Sequence, residues 1–407
     1  MKINKLCPYP WLQLSVEPNG NLRFCCYGES GKDLLNEEGK LISINDVNSV
    51  QEVLNHPTYK SIRLAMLKQE YPDFCKTCLK IEQKGGESPR TAQIPLYQNE
   101  FTQQVESMQV DGSVELRLHT LELTLGNICN LKCRMCSPFF STLLKSDFDQ
   151  MNFDYNREEV SQIENFWQMN EELNPFLRDA LLKIKKVNFL GGEPLLAPVH
   201  AKILKFLIER KRASEVTLFY NTNLTIASKT TLDLWSQFKH IHLDVSLEGT
   251  AEINDYIRKG SDFKKIDRNI ELVKSSLGDK VDFNICTVLQ ALNFEHIPQW
   301  LDFLMTWKSY IPKLPNFIYL DFPSYLSAKV LAPKLRGPII QMLRSKIAKY
   351  QTLELSDVEK MSLRGLIGFI EDLESSQWDE KGYLDFVVFN KKLDKLRQEQ
   401  APKAKNN

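Results

Sequence analysis

The chain shows no charge bias: 52 Lys and Arg balance 52 Asp and Glu over 407 residues. No global basic field therefore favours nucleic acid. No apolar run is long enough to span a bilayer, and Met1 to Leu12 lacks the apolar core of a secretory signal. Histidine is scarce, six in all, and scattered without metal-ligand spacing; His240 and His242 read as parts of a strand edge. No repeat of solenoid period is present. What stands out is cysteine, with nine residues. In a chain without a secretory signal, cysteines point to metal chemistry in a reducing compartment rather than to disulfides, and the expected location is the cytoplasm. The length suggests two domains with appendages.

Three of the cysteines stand close together in Cys129-Asn-Leu-Lys-Cys133-Arg-Met-Cys136, directly after the strand-like Leu121–Leu125. This spacing lets one loop wrap a cuboidal iron–sulfur cluster, with thiolates for three irons and none for the fourth. A cluster that only transfers electrons is normally fully thiolate-ligated, so an open iron is a place for something else to bind. A three-cysteine loop also lacks the fourth local ligand of a closed zinc site.

Further strands follow at Val187–Leu190, Val216–Tyr220, Ile241–Val245, Val281–Ile285 and Phe317–Asp321. Helical periodicity separates them, as in His200–Lys211 and Phe263–Ser276. Alternating strands and helices predict an α/β fold with a parallel sheet, whose C-terminal strand ends carry the ligand site. The polar motifs fall at those ends: Gly191-Gly192-Glu193-Pro194, Asn221-Thr222-Asn223 and Ser246-Leu247-Glu248-Gly249. Strand parity points His242, Asp244 and Ser246 inward, with Asp244 read as a hydrogen-bonding anchor beneath Ser246. Cys286 lies in an apolar strand and reads first as a packing residue, and secondarily as a thiol facing the interior.

From about residue 115 to 325 the chain resembles the radical S-adenosylmethionine (SAM) enzymes, with a partial, six-unit (β/α) barrel. The resemblance implies that Cys129, Cys133 and Cys136 hold a [4Fe-4S] cluster whose open iron chelates SAM. Gly191, Gly192 and Glu193 are then expected at the SAM amino group, and Asn223, Ser246 and Glu248 around its ribose and carboxylate. Arg258 is expected to pair that carboxylate, and Asp321 to act as a base near the substrate. Two departures are visible: Met135 replaces the usual aromatic residue before the third cysteine, and Glu248 stands where many members have Asp. A low-potential donor such as flavodoxin or ferredoxin is implied, and cleaved SAM is expected to yield a 5′-deoxyadenosyl radical that abstracts substrate hydrogen. The expected substrate is a peptide or protein, leaving an oxidation or a cross-link. The alternative is oxidation or rearrangement of a small molecule of sugar or nucleotide type. A zinc-stabilised, non-catalytic binding protein is a further alternative.

The N-terminal region holds a second cysteine set. An alternating stretch from Trp11 to Phe24 turns at Asn19-Gly20, a hairpin signal that brings Cys7 and Cys25 together. Cys75-Lys-Thr-Cys78 can complete four thiolates. The arrangement is similar to the auxiliary-cluster domains called twitch, or to half of a SPASM domain, although those more often follow the barrel. It implies a second, auxiliary [4Fe-4S] cluster; structural zinc is the alternative. Cys26 competes with Cys25 for the second position, and Cys25 is preferred for its spacing from Gly20.

The domain reading that results is an N-terminal cysteine domain and linker over 1–110, the linker containing short helical pieces. The barrel covers 115–330, with a long insertion between its first and second strands at about 148–182. A helical extension follows over 331–390, and a disordered tail over 391–407.

Overall fold

A computed structural model describes residues 6–25, 33–83, 88–115, 117–169 and 172–402. Its strands are β1 (Gln13–Val16), β2 (Leu22–Arg23), β3 (Thr120–Thr124), β4 (Lys132–Cys133), β5 (Lys186–Leu190), β6 (Thr217–Thr222), β7 (His240–Ser246), β8 (Arg258–Lys259), β9 (Val281–Leu289) and β10 (Asn316–Tyr319). Two compact units are built from interleaved segments. The first comprises Met1–Ile128, Arg157–Tyr220 and Asp233–Ile241; the second comprises Cys129–Asn156, Asn221–Leu232 and His242–Asn407.

In the first unit the strands lie in the order β2-β1-β3-β5-β6. β1–β3, β3–β5 and β5–β6 are parallel, and only β2 runs antiparallel, to β1. Parallel neighbours require a crossover. The helix Pro198–Glu209 supplies one between β5 and β6, burying Val199, Ile203, Leu204 and Leu207. Leu121, Leu123, Val187, Phe189, Leu218 and Tyr220 fill the core from the strands. One polar knot sits there as well: Tyr220 Oη lies 2.8 Å from His200 Nε2 and accepts from Trp235 Nε1 at 2.9 Å. Burial lowers the His200 pKa to about 4.

The N-terminal cysteine region joins this sheet directly. β1 pairs with β3 from Gln13↔Thr120 to Val16↔Leu123. The predicted hairpin is present, with Ser15↔Arg23 and Val16↔Leu22 paired. Gly20 turns it at φ +81°, a conformation that disfavours side chains. The insertion forms the helices Leu144–Met151, Arg157–Met169 and Pro175–Leu181. Trp167 Nε1 of the second donates to Pro18 O at 2.8 Å, and the Phe166 ring occupies the space a Cβ on Gly20 would need.

The second unit contains β7 from His242 onward, β9 and β10 in that order, with β9 and β10 parallel and Asn316 opposite Cys286. The helix Phe263–Leu277 buries Phe263, Ile266, Ile270, Val273 and Leu277, and the Asp262 side chain caps it by accepting from Lys265 N. Pro333–Tyr350, Asp357–Ser375 and Glu380–Arg397 form the helical extension. The fold class is thus the expected α/β arrangement with a C-terminal helical extension. Among the described residues, no helix is long and apolar enough to cross a membrane.

Three sequence expectations change. The segment after Ser88 is one helix, Pro89–Glu106, rather than short pieces, because Ser88 and Thr91 form a capping box ahead of it. β9 continues to Leu289, past the strand end read at Ile285, so Thr287 lies inside the strand together with Cys286, which was expected there. The tail expected from residue 391 is helical to Arg397, where Phe389 and Leu393 pack with Met151 and Leu326. Residues 403–407 lie outside the described residues.

Candidate iron–sulfur and SAM sites

The three-cysteine loop belongs to the second unit, which pins it at several points. Its central residues form β4, antiparallel to β8, with Lys132↔Lys259 and Cys133↔Arg258 paired. Arg134 N donates to Ile257 O at 2.9 Å, and Cys136 N to Cys133 O at 3.2 Å. At the loop's start, Leu131 N donates to Cys129 Sγ at 3.4 Å. Asn130 is held by two side chains: it donates to Thr225 Oγ1 at 2.8 Å and accepts from Asn223 Nδ2 at 3.0 Å. Asn223, expected at the ribose, thus spends its amide on the cysteine loop.

Burial raises the Cys136 pKa to about 12, with Cys133 and Cys129 adding to the rise. Burial also raises that of Cys133, against the pull of Arg258. Arg258 Nη1 lies 3.8 Å from Cys133 Sγ. The same guanidinium grips Glu248, Nε at 3.0 Å and Nη2 at 2.6 Å from Oε1. Glu248 is fully buried and also accepts from Val288 N at 2.9 Å. Burial raises its carboxyl pKa, and the guanidinium opposes the rise. Two side chains assigned to SAM are therefore partners of each other here. Asn254 accepts from Glu248 N, and Asn293 donates to Glu248 O, both at 3.0 Å. Asn130, Asn254 and Asn293 escaped the sequence reading, because a lone Asn carries no periodicity or spacing signal.

Gly191, Gly192 and Glu193 belong to the first unit. Gly191 has φ +146°, and a Cβ there would meet Leu125 N at 3.1 Å and Gly126 O at 3.2 Å. Gly192 N donates to Gly126 O at 3.0 Å and Glu193 N to Ile128 O at 2.8 Å. The glycines thus lock this element onto the segment leading to Cys129. Glu193 is 2 % exposed, and its Oε1 accepts from Leu195 N at 3.2 Å. It is a buried carboxylate three residues beyond the end of β5.

The N-terminal set also assembles, within the first unit. Cys7, Cys25, Cys75 and Cys78 line one pocket with Phe24, Phe74 and Arg90. The hairpin carries Cys7 before β1 and Cys25 after β2, while Cys75 ends a 3₁₀ turn and Cys78 lies in the helix Lys76–Gln83. Burial, then the neighbouring Cys25 and Cys78, raises the Cys75 pKa to about 12, and burial raises Cys7 with Cys25 adding to it. A buried thiol ionises only beside positive charge, which a metal group supplies. Four converging thiols are the donor set of a fully ligated cluster, so the residues fit one. Among the described residues, no three His, Cys, Asp or Glu side chains form a ready single-ion site. Cys26 lies outside the described residues.

The remaining candidates divide. Ser246 ends β7, partly exposed. Asp244 is buried, accepts from Cys286 Sγ at 3.4 Å and lies 3.3 Å from His242 Nε2, an anchoring pattern for both. Asn316 Nδ2 reaches Cys286 Sγ at 3.8 Å. Asp321 lies two residues beyond β10 and is exposed.

Residues 123–304 match the model of the radical SAM superfamily, and residues 7–79 match that of an iron–sulfur cluster-binding domain, SPASM. The latter match starts at Cys7 and ends one residue after Cys78. Among solved structures, native anSMEcpe with bound AdoMet is 23% identical, covering 57% of this chain and 61% of that one, at a TM-score of 0.38. Streptococcus suis SuiB bound to S-adenosylmethionine is 16% identical, covering 79% of this chain and 68% of that one, at a TM-score of 0.37. The chain thus spans about three fifths of the anSMEcpe structure. anSMEcpe has also been solved with the Cp18Cys peptide, and SuiB with precursor peptide SuiA. No curated protein matches the sequence. A radical SAM domain implies a [4Fe-4S] cluster and SAM, and a SPASM domain implies auxiliary iron–sulfur ligation. Residues 123–304 thus carry a radical SAM domain, and residues 7–79, ahead of it in the chain, a SPASM-type iron–sulfur domain.

Proposed function

We propose that this protein cleaves SAM reductively and uses the resulting radical to oxidise or cross-link a peptide or protein substrate. The observation that carries this reading is the presence of two separate thiol sets in two settings. One is a three-cysteine loop beside Arg258; the other is a four-cysteine pocket. When bound, a reduced cluster and SAM supply a 5′-deoxyadenosyl radical, and a fully ligated second cluster supplies an electron acceptor.

The chain's own residues have narrower tasks. Cys129, Cys133 and Cys136 hold the first cluster, and the β4–β8 ladder fixes the loop. Glu193 accepts the SAM amino group. Gly191 and Gly192 let backbone approach it without a Cβ in the way. Arg258 neutralises charge beside Cys133 while Glu248 orients its guanidinium. Asn223 sets the loop through Asn130. Ser246, at the end of β7, serves as a ribose contact. Asp321 is the base on this reading, its exposure leaving it free to meet a large substrate. Cys7, Cys25, Cys75 and Cys78 hold the auxiliary cluster. A flavodoxin- or ferredoxin-type donor completes the system, and the cytoplasm is its setting. The pairing of a radical SAM domain with a SPASM-type domain supports a peptide substrate.

The test is anaerobic reconstitution with iron, sulfide and zinc counts, followed by SAM cleavage under reductant. Two four-iron clusters are expected. Replacing Cys129, Cys133 and Cys136 together should remove one cluster and all 5′-deoxyadenosine. Replacing Cys75 and Cys78 should remove the other while uncoupled SAM cleavage persists. SAM cleavage surviving in the triple variant would sink the assignment. Zinc in the N-terminal set would make that domain structural.

A further inference from the structure

Arg134 lies between two of the loop cysteines, yet nothing in the cluster reading uses it. Its side chain is wholly buried. Nε donates to Tyr256 O at 3.1 Å and Nη1 to Asn390 Oδ1 at 3.1 Å. Nη2 donates to Asp394 Oδ1 at 2.5 Å and Glu399 Oε2 at 2.7 Å. The guanidinium lies over the Tyr256 ring at 3.7 Å, and Tyr256 Oη itself donates to Asp394 at 2.9 Å. Three of these partners, Asn390, Asp394 and Glu399, come from the C-terminal helix and the residues after it, about 260 positions away in sequence. Burying the guanidinium is costly unless its partners meet it closely; here every guanidinium nitrogen has one, while Asp394 and Glu399 stay partly exposed.

The neighbouring residues repeat the pattern. Lys132, just before Cys133, pairs with the buried Asp147, which also takes Arg397 Nε at 2.8 Å and Nη2 at 2.7 Å. Lys259, opposite Lys132 in the β4–β8 ladder, pairs with Glu399 at 2.7 Å. Met135 packs against the cluster that includes Phe389 and Leu393. Thus Lys132, Arg134 and Met135 all end, directly or through one carboxylate, on the C-terminal segment.

We infer that the helix Glu380–Arg397 with Glu399 is the positioning element of the cysteine loop, and that Arg134 is the positioning residue through which it acts. Asp394 and Glu399 fix the guanidinium. The guanidinium fixes the backbone between Cys133 and Cys136, and places a balanced charge group beside the cluster. This rests on the proposed cluster assignment for Cys129, Cys133 and Cys136.

The experiment uses the full chain, reconstituted anaerobically, with the electron paramagnetic resonance spectrum and midpoint potential of the SAM-binding cluster as readouts. Arg134→Met removes a positive charge and should shift the midpoint potential down. Asp394→Asn leaves that charge less compensated and should shift it up. Glu399→Gln, at the other acid on the same nitrogen, should also move it up. Asp394→Glu should restore the wild-type spectrum. Opposite signs are the diagnostic, because loosened packing alone moves both variants the same way. The auxiliary cluster's signal, isolated in the triple-cysteine variant, should be unchanged by each substitution and reports that the chain has folded. If Arg134→Met or Asp394→Asn loses the SAM-binding cluster but keeps the auxiliary one, the positioning role holds in its strongest form. Wild-type spectra and potentials in both variants would overturn it. A wild-type chain with no more iron than the triple-cysteine variant would instead overturn the cluster assignment itself.

Discussion

Arg258→Met tests the pairing at the centre of the candidate site. The change removes a guanidinium that makes two hydrogen bonds to Glu248 Oε1, at 3.0 and 2.6 Å, and leaves the carboxylate behind. That carboxylate is fully buried, so water cannot take the guanidinium's place. Removing one partner of such a pair costs about 3–5 kcal/mol, most of it the penalty of an uncompensated charge. For a unit of this size that corresponds to a fall of roughly 6–20 °C in Tm. Adding Glu248→Gln removes the stranded charge while keeping an acceptor for Val288 N and Asn293. The double variant should therefore recover to within about 1–2 kcal/mol of wild type, since an ion pair replaced as a whole is often near neutral. The assay is thermal and urea unfolding of the cluster-free chain, so that iron binding does not mask the difference. A single Arg258→Met variant costing under about 1 kcal/mol would refute the pairing. So would a double variant as unstable as the sum of the two singles.

Three further outcomes are expected. Glu193→Gln should keep the cluster but weaken SAM binding by about 1.5–3 kcal/mol, the loss of a charge-assisted hydrogen bond, read by equilibrium binding; unchanged affinity would remove Glu193 from that role. Trp167→Phe keeps the ring but loses the 2.8 Å bond to Pro18 O, and should cost about 0.5–1.5 kcal/mol in urea unfolding; no loss would show that the helix is held by apolar contact alone. His200 should make folding acid-sensitive: its folded pKa is depressed to about 4 from 6.5, so the unfolded chain binds the extra proton first. Its contribution is complete above pH 6.5 and lost as pH falls toward 4, by about 3 kcal/mol, and His200→Phe should lack that part of the pH dependence in urea midpoints.

The sequence announces those parts of the molecule that depend on local pattern. Alternating apolar strands with polar ends were readable because each strand carries its own periodicity, and the cysteine spacings because a loop around a cluster is itself a local object. Parts that depend on distant partners were not readable. The polar stretch from Lys391 looks solvated until Asp394 meets Arg134, a pairing with no local trace. The joining of β1 to β3 was equally hidden, since a four-residue strand does not specify its neighbour. Asn223 has the right place but an unexpected partner, Asn130. Asp321 was read at a strand end, but β10 stops two residues short of it. The extent of β9 was missed because Thr287 looked like a polar strand end, whereas it is buried and donates to Leu247 O at 2.7 Å.

The place of β1 beside β3 bears on how this protein can be dissected. A strand at a sheet border offers a row of unpaired amides and carbonyls to any passing chain. Here β1 takes that position next to β3, and the two-residue β2 shields the outer side of β1. Removing residues 1–110 to obtain a smaller catalytic fragment would strip both strands at once and leave Leu121-Glu122-Leu123 as an open, apolar border. Such a fragment is expected to self-associate in solution, so low yield or turbidity would reflect an unprotected sheet margin before it reflected any loss of iron.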